Sequence, residues 1–110
     1  MTALGATVYR ADREIPASPR APRIQVSAQT PTGRFEISAR LSNNRYNEVS
    51  FAVKAGDGRF KPAGTDDNAP YRMFYDASNR KPGTLLTIKA VVDDLNGHLR
   101  SASTTTTVGQ

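Results

Sequence analysis

The chain contains no cysteine and no tryptophan, a single histidine, and aromatic residues at only 7% of its 110 positions. Without cysteine there is no disulfide framework and no thiol chemistry, and compartment stays open on that ground, because secreted domains without disulfides are common. His98, with no second histidine or cysteine to join it, excludes the usual zinc ligand sets. No stretch approaches the roughly 20 apolar residues that cross a bilayer. The opening segment MTALGATVYRADREI carries charges where a signal peptide needs its apolar centre, so the chain reads as soluble and any export signal is expected on a longer parent. A nucleophile elbow, a phosphate-cradling glycine loop and a metal signature are all missing. The expectation is a protein that is not an enzyme and takes no cofactor or metal.

What is present is charge and alternation. Net charge is +5 with a pI near 10, which raises nucleic acid as a partner. The distribution argues against it. Residues 1–23 hold four arginines against two acidic residues, and the remaining chain has 11 basic against 8 acidic residues with no dense basic run. Basic and acidic residues alternate along the extended segments, the pattern of a solvated face. No nucleic-acid and no membrane partner is expected.

Residues 1–22 place Pro16, Pro19 and Pro22 among Ala, Ser and Arg without a persistent period, and read as a linker or arm; residues 23–110 read as one domain. The strongest element is the run from Thr84: Leu86, Ile88, Ala90 and Val92 recur at period two, which puts them on one face of a strand. Asp94-Leu95-Asn96-Gly97 then turns the chain, and His98-Leu99-Arg100 resumes it, predicting a hairpin that ends in the threonine-rich segment 102–108. Upstream, alternation predicts strands over 23–28, over 35–41 (Phe35, Ile37, Ala39, Leu41), and around Val49, Phe51 and Val53. Gly56-Asp57-Gly58 is a tight turn, and 59–63 a short strand at a sheet edge, because Pro62 cannot donate to a ladder. Residues 64–70 read as a loop. The next strand starts at Pro70, with Tyr71, Met73 and Tyr75 toward the core and Arg72, Phe74 and Asp76 away from it. Phe74 is the anomaly, an aromatic on a charged face. Turn signals every 8–12 residues and no helical period give an all-β fold, an antiparallel sandwich of about seven strands.

Two motifs add to this reading: Gly64, Thr65, Asp66, Pro70 and Tyr71 (GTD followed by PY), and Lys89, Ala90, Val91, Asp93, Asn96, Gly97 and His98 in KAVVDDLNGH. Over about residues 23–108 the chain resembles immunoglobulin-like (fibronectin type III-like) accessory modules of bacterial secreted glycoside hydrolases of the α-amylase and pullulanase type. The resemblance implies an extracellular, monomeric module within a larger parent, serving as a spacer and packing on the parent's catalytic domain. It also implies two alternatives: a carbohydrate-binding module with a polysaccharide partner, here starch or a related glucan, and a cell-surface interaction or adhesion module. The antibody-type Cys pair and strand Trp are absent, and Phe51 stands where a core aromatic is expected.

Candidate sites follow from chemistry. Sugar rings stack on exposed aromatic faces and bond the polar groups beside them, which singles out Tyr46, Phe60 and Phe74, with Arg72 and Asp76 flanking Phe74. The pairs Asp66-Asp67 and Asp93-Asp94 suggest acid/base or calcium chemistry, but neither supplies enough converging oxygens, and the expected role is bonding of nearby backbone N–H groups. A calcium site joining Asp57 to Asp66 or Asp67 across loops is the remaining alternative. His98 is expected to bond its own turn.

Overall fold

The computed structural model describes residues 20–28, 33–43 and 46–109. It has seven strands: β1 (Ile24–Ala28), β2 (Arg34–Leu41), β3 (Glu48–Ala55), β4 (Lys61–Asp66), β5 (Tyr71–Asp76), β6 (Leu85–Asp93) and β7 (Leu99–Thr107). They pair antiparallel in two sheets, one ordered β1-β2-β5 and the other β4-β3-β6-β7. Among the described residues there is no helix. This is the seven-stranded antiparallel sandwich that the alternation predicts, with the immunoglobulin-like form that the resemblance implies. Most of the expected linker, residues 1–19, lies outside the described residues; Ala21 and Pro22, just ahead of β1, are buried.

The core is the inner layer of both sheets. Successive strand residues point to opposite faces, so Val49, Phe51 and Val53 of β3 and Leu86, Ile88, Ala90 and Val92 of β6 meet Val26, Ile37, Ala39 and Tyr71 of the facing sheet. Phe51, Ile37, Leu86 and Ile88 are fully buried. At about 25 cal/mol per Å² of apolar surface removed from water, each contributes roughly 1.5–3 kcal/mol. Directly opposed Phe35 and Tyr75 add an edge-to-face ring contact with centroids 5.8 Å apart.

On the outer side of the larger sheet, Ser50, Ala52 and Val91 are buried although alternation points them away from the core. Val91 and Ala52 pack with Phe60, and the Lys54 and Lys89 ammonium groups lie 5.3 and 5.5 Å from the centroid of its ring. Ser50 Oγ and Thr65 Oγ1 share a hydrogen bond of 2.9 Å. Period-two reasoning assigns these positions to solvent; their burial comes from neighbours on β4 and the turn before it, which no single-strand pattern contains.

One expectation is corrected here. Residues 64–66, read as loop, complete β4, which starts at Lys61 and lies at the sheet edge as Pro62 requires. The sequence looks loop-like because β4 carries a bulge: Phe51 pairs with Gly64 but Ala52 with Pro62, which leaves Ala63 as the extra residue. Gly64 has φ +141°, and a Cβ there would collide with Met73 Cε and stand 2.9 Å from its Sδ. Small size at this point lets the edge of one sheet close against β5 of the other. Gly64→Ala is therefore expected to lower the unfolding free energy by about 2 kcal/mol or more, from backbone strain together with displacement of Met73. Urea denaturation checks this, and an unchanged midpoint would contradict it.

Candidate functional site

The loops joining β2 to β3, β4 to β5 and β6 to β7 gather at one end of the sandwich, and with them five of the eight acidic residues among the described residues: Glu48, Asp66, Asp67, Asp93 and Asp94. Asp66 accepts from the N–H of Asn68 (3.1 Å) and of Arg72 (3.1 Å), so one carboxylate ties the end of β4 to the start of β5. The Ala69–Pro70 peptide between them is cis. Asp93 accepts from the N–H of Leu95 at 2.8 Å. Asp94 Oδ1 accepts from the N–H groups of Asn96 (2.8 Å) and His98 (3.0 Å), while its Oδ2 lies 2.5 Å from His98 Nδ1. Both motifs are thus turn chemistry: short carboxylates replace the backbone partners that a tight turn cannot supply. Within this turn Leu95 takes φ +67° and Gly97 φ +89°.

The alternative calcium site is not assembled. Asp57 sits in the turn between β3 and β4, and Asp66 at the far end of β4, separated by roughly 17 Å of strand at about 3.3 Å per residue. No group of three or more potential metal ligands occurs among the described residues. His98 meets a carboxylate, but among the described residues its ring bonds no hydroxyl that could act as a nucleophile.

The carboxylates at this end differ in their electrostatics. Burial pushes the Asp94 carboxyl up, but the His98 ring and the N–H groups of Asn96 and His98 outweigh it and hold the group below its ordinary 3.8. Glu48 opens β3 directly opposite Asp93; burial pushes its carboxyl above 4.5, with the charges of Asp93 and Asp67 adding to the effect, and Oε2 is buried without a hydrogen-bond partner.

The four residues proposed for sugar contact occupy three places. Tyr46, 60% exposed, stands at the acidic end and donates from its hydroxyl to Asp67 Oδ2 at 2.9 Å. Phe60 is half-buried on the outer face of the larger sheet. Arg72 and Phe74 share the outer face of the smaller sheet. Arg72 lies 3.8 Å from Glu36, and Phe74, 49% exposed, has the Arg34 guanidinium 4.8 Å from its ring centroid. Asp76 lies opposite Arg34 in the ladder and accepts from the N–H of Ser78. Only the Arg72 and Phe74 pair is brought together.

That face also has a shape. Gln25 pairs with Arg40, Ser27 with Ser38, Ser38 with Arg72, and Glu36 with Phe74. The small serines leave two adjoining depressions of about 310 and 550 Å³, both bordered by Ser27 and Ser38. Sequence reasoning missed these positions because the polar outer residues of β1 and β2 look like ordinary surface until the register places two serines side by side.

Comparison with known proteins adds the following. No family model matches the chain. Over 102 residues it is 37% identical to an α-amylase of Streptomyces lividans, a match that takes in 90% of this chain and 11% of the amylase. The chain is similar to a segment of an α-amylase. This agrees with the expected kinship to accessory modules of such enzymes, and a match confined to about a tenth of the amylase, on a small sandwich domain, accords with a non-catalytic role. A match of that extent necessarily includes part of the proline-rich stretch ahead of β1. A crystal structure of the PKD1 domain of Vibrio anguillarum Epp superimposes with a TM-score of 0.48 at 20% identity, over 82% of this chain and 95% of that one.

Asp94 and Glu48 predict opposite effects. Asp94 has a folded value below its unfolded one, so its contribution is present above about pH 4 and is lost as pH falls through the depressed value. Asp94→Asn is expected to cost about 1–3 kcal/mol near neutrality and progressively less in acid. Glu48 has a raised folded value, so its cost is absent in acid and complete above that value; Glu48→Gln should raise the melting temperature near neutrality and leave it unchanged in acid. Calorimetry across pH checks both, and parallel curves for wild type and variants would contradict the assignment.

Proposed function

We propose that the chain is a non-catalytic accessory module of a secreted, polysaccharide-degrading enzyme of the α-amylase type, acting as a structural spacer beside the parent's catalytic domain. The observation that carries this reading is the match to about a tenth of an α-amylase, on a chain that folds as one sandwich. Residues 1–22 serve as the connecting arm, their last two residues already seated on the domain. The fold suits a spacer. Its most sequence-specific loops are held by their own aspartates, and its charges are spread over both faces. The module acts as a monomer in extracellular surroundings and binds neither nucleic acid nor membrane.

Grafting tests the reading. The chain replaces the matching segment of the Streptomyces lividans amylase, and secretion, melting temperature and turnover of soluble starch are compared with the intact enzyme and a deletion of that segment. The graft is expected to restore the secretion and thermal stability that the deletion loses, while the isolated chain releases no sugar from starch. A graft no better than the deletion, or sugar release by the isolated chain, would overturn the proposal.

A further inference from the structure

We infer that the outer face of the β1-β2-β5 sheet is a binding trough for a neutral oligosaccharide, with Ser27 and Ser38 as its floor and Phe74 as the platform for a pyranose ring. The inference rests on the accessory-module reading only for the choice of glucan; the trough itself stands on geometry.

Three observations converge on it. First, Phe74 keeps half its surface open on a face that is otherwise polar, even with Arg34 over the ring. An exposed aromatic costs solubility and adds nothing to the core, whereas the apolar face of a sugar stacks on such a ring. Second, the adjoining depressions run along β1 and β2 from Gln25 and Arg40 to Glu36; Phe74 and Arg72 line neither, but stand across the ladder from Glu36 and Ser38 and extend the face toward β5. Four residues of strand make this about 13 Å, longer than one pyranose ring. Their size falls within the range of small-ligand sites. Third, the rim offers planar groups of both kinds. Arg72 and Arg40 donate, Glu36 accepts, and Gln25 does both, matching vicinal hydroxyls that donate and accept together. The Arg72 and Glu36 side chains are 55% and 45% exposed and 3.8 Å apart, a loose surface pair worth little to the fold and free to re-form around a ligand.

Charge selects the ligand class. Arg34, Arg40 and Arg72 stand beside Glu36 and Asp76, so the face is nearly balanced and a polyanion would meet carboxylates along its path. A neutral, hydroxyl-rich chain fits; an acidic one does not.

The test is an amide NMR titration of the whole chain with maltoheptaose and, separately, cellohexaose. The expected result is millimolar binding of maltoheptaose, with shifts centred on Ser27, Ser38, Arg72 and Phe74. Phe74→Ala and Arg72→Ala should each weaken it roughly tenfold without moving the melting temperature, while Leu85→Ala, an exposed apolar residue on the other sheet, leaves binding unchanged. Binding of cellohexaose alone would support the trough and count against an α-amylase type of parent. No shifts with either sugar up to about 10 mM, shifts confined to the Tyr46 or Phe60 regions, or full affinity in Phe74→Ala would overturn the inference.

Discussion

Everything in this molecule depends on the interlocking of β3 and β6, the two central strands of the larger sheet, whose inward side chains supply half of the buried core. Val49, Phe51 and Val53 lie beside Val92, Ala90 and Ile88 in the ladder, and each of these six is 4% exposed or less. This apolar sheet face has to be covered, and β1, β2 and β5 cover it. The remaining features are consequences of closing that sandwich. Gly64 admits Met73 where the sheets approach, Asp66 hands the chain from one sheet to the other, and Asp94 with His98 ties the hairpin that leaves β6.

The same closure explains why the most conspicuous polar motifs are structural. Asp66, Asp93 and Asp94 stand at strand ends, where the chain reverses and backbone N–H groups lose their ladder partners. Their carboxylates are taken up in that role. Glu48 is the exception, held among carboxylates with one oxygen buried and unbonded, and it is a place where the fold gives up stability. The outer face of the smaller sheet is different in kind. Apart from Asp76, which holds the turn after β5, its groups serve no turn, its ion pair is loose, and its one aromatic faces water, which leaves them available to a ligand.

The sequence makes the architecture legible wherever one face of a strand is buried and the other is not. The alternation in 84–92 and 35–41 reports directly on inside and outside, so β2, β5 and β6 are read with their faces correct, including Phe74 pointing outward. It fails where burial comes from outside the strand. Ser50, Ala52 and Val91 are covered by contacts across β4 and Phe60, and the Pro62 to Gly64 stretch looks like a loop because its bulge uses loop residues. The candidate site was half legible. Arg72 and Phe74 could be paired by their spacing on one strand, but Phe60 lies on the outer face of the other sheet and Tyr46 among the loops at the acidic end, bonded to Asp67. The serine floor becomes visible only through cross-strand register, which depends on three strands at once.

The central claim is that period-two burial of β3 against β6 and the facing sheet holds the domain together, while the exposed outer positions are dispensable for folding. The most direct measurement compares unfolding free energies of Phe51→Ala, inside, and Ser103→Ala, outward on β7, by urea denaturation of the whole chain. The account predicts a loss of about 3–5 kcal/mol for the first and less than about 0.5 kcal/mol for the second. Similar small losses for both would contradict it.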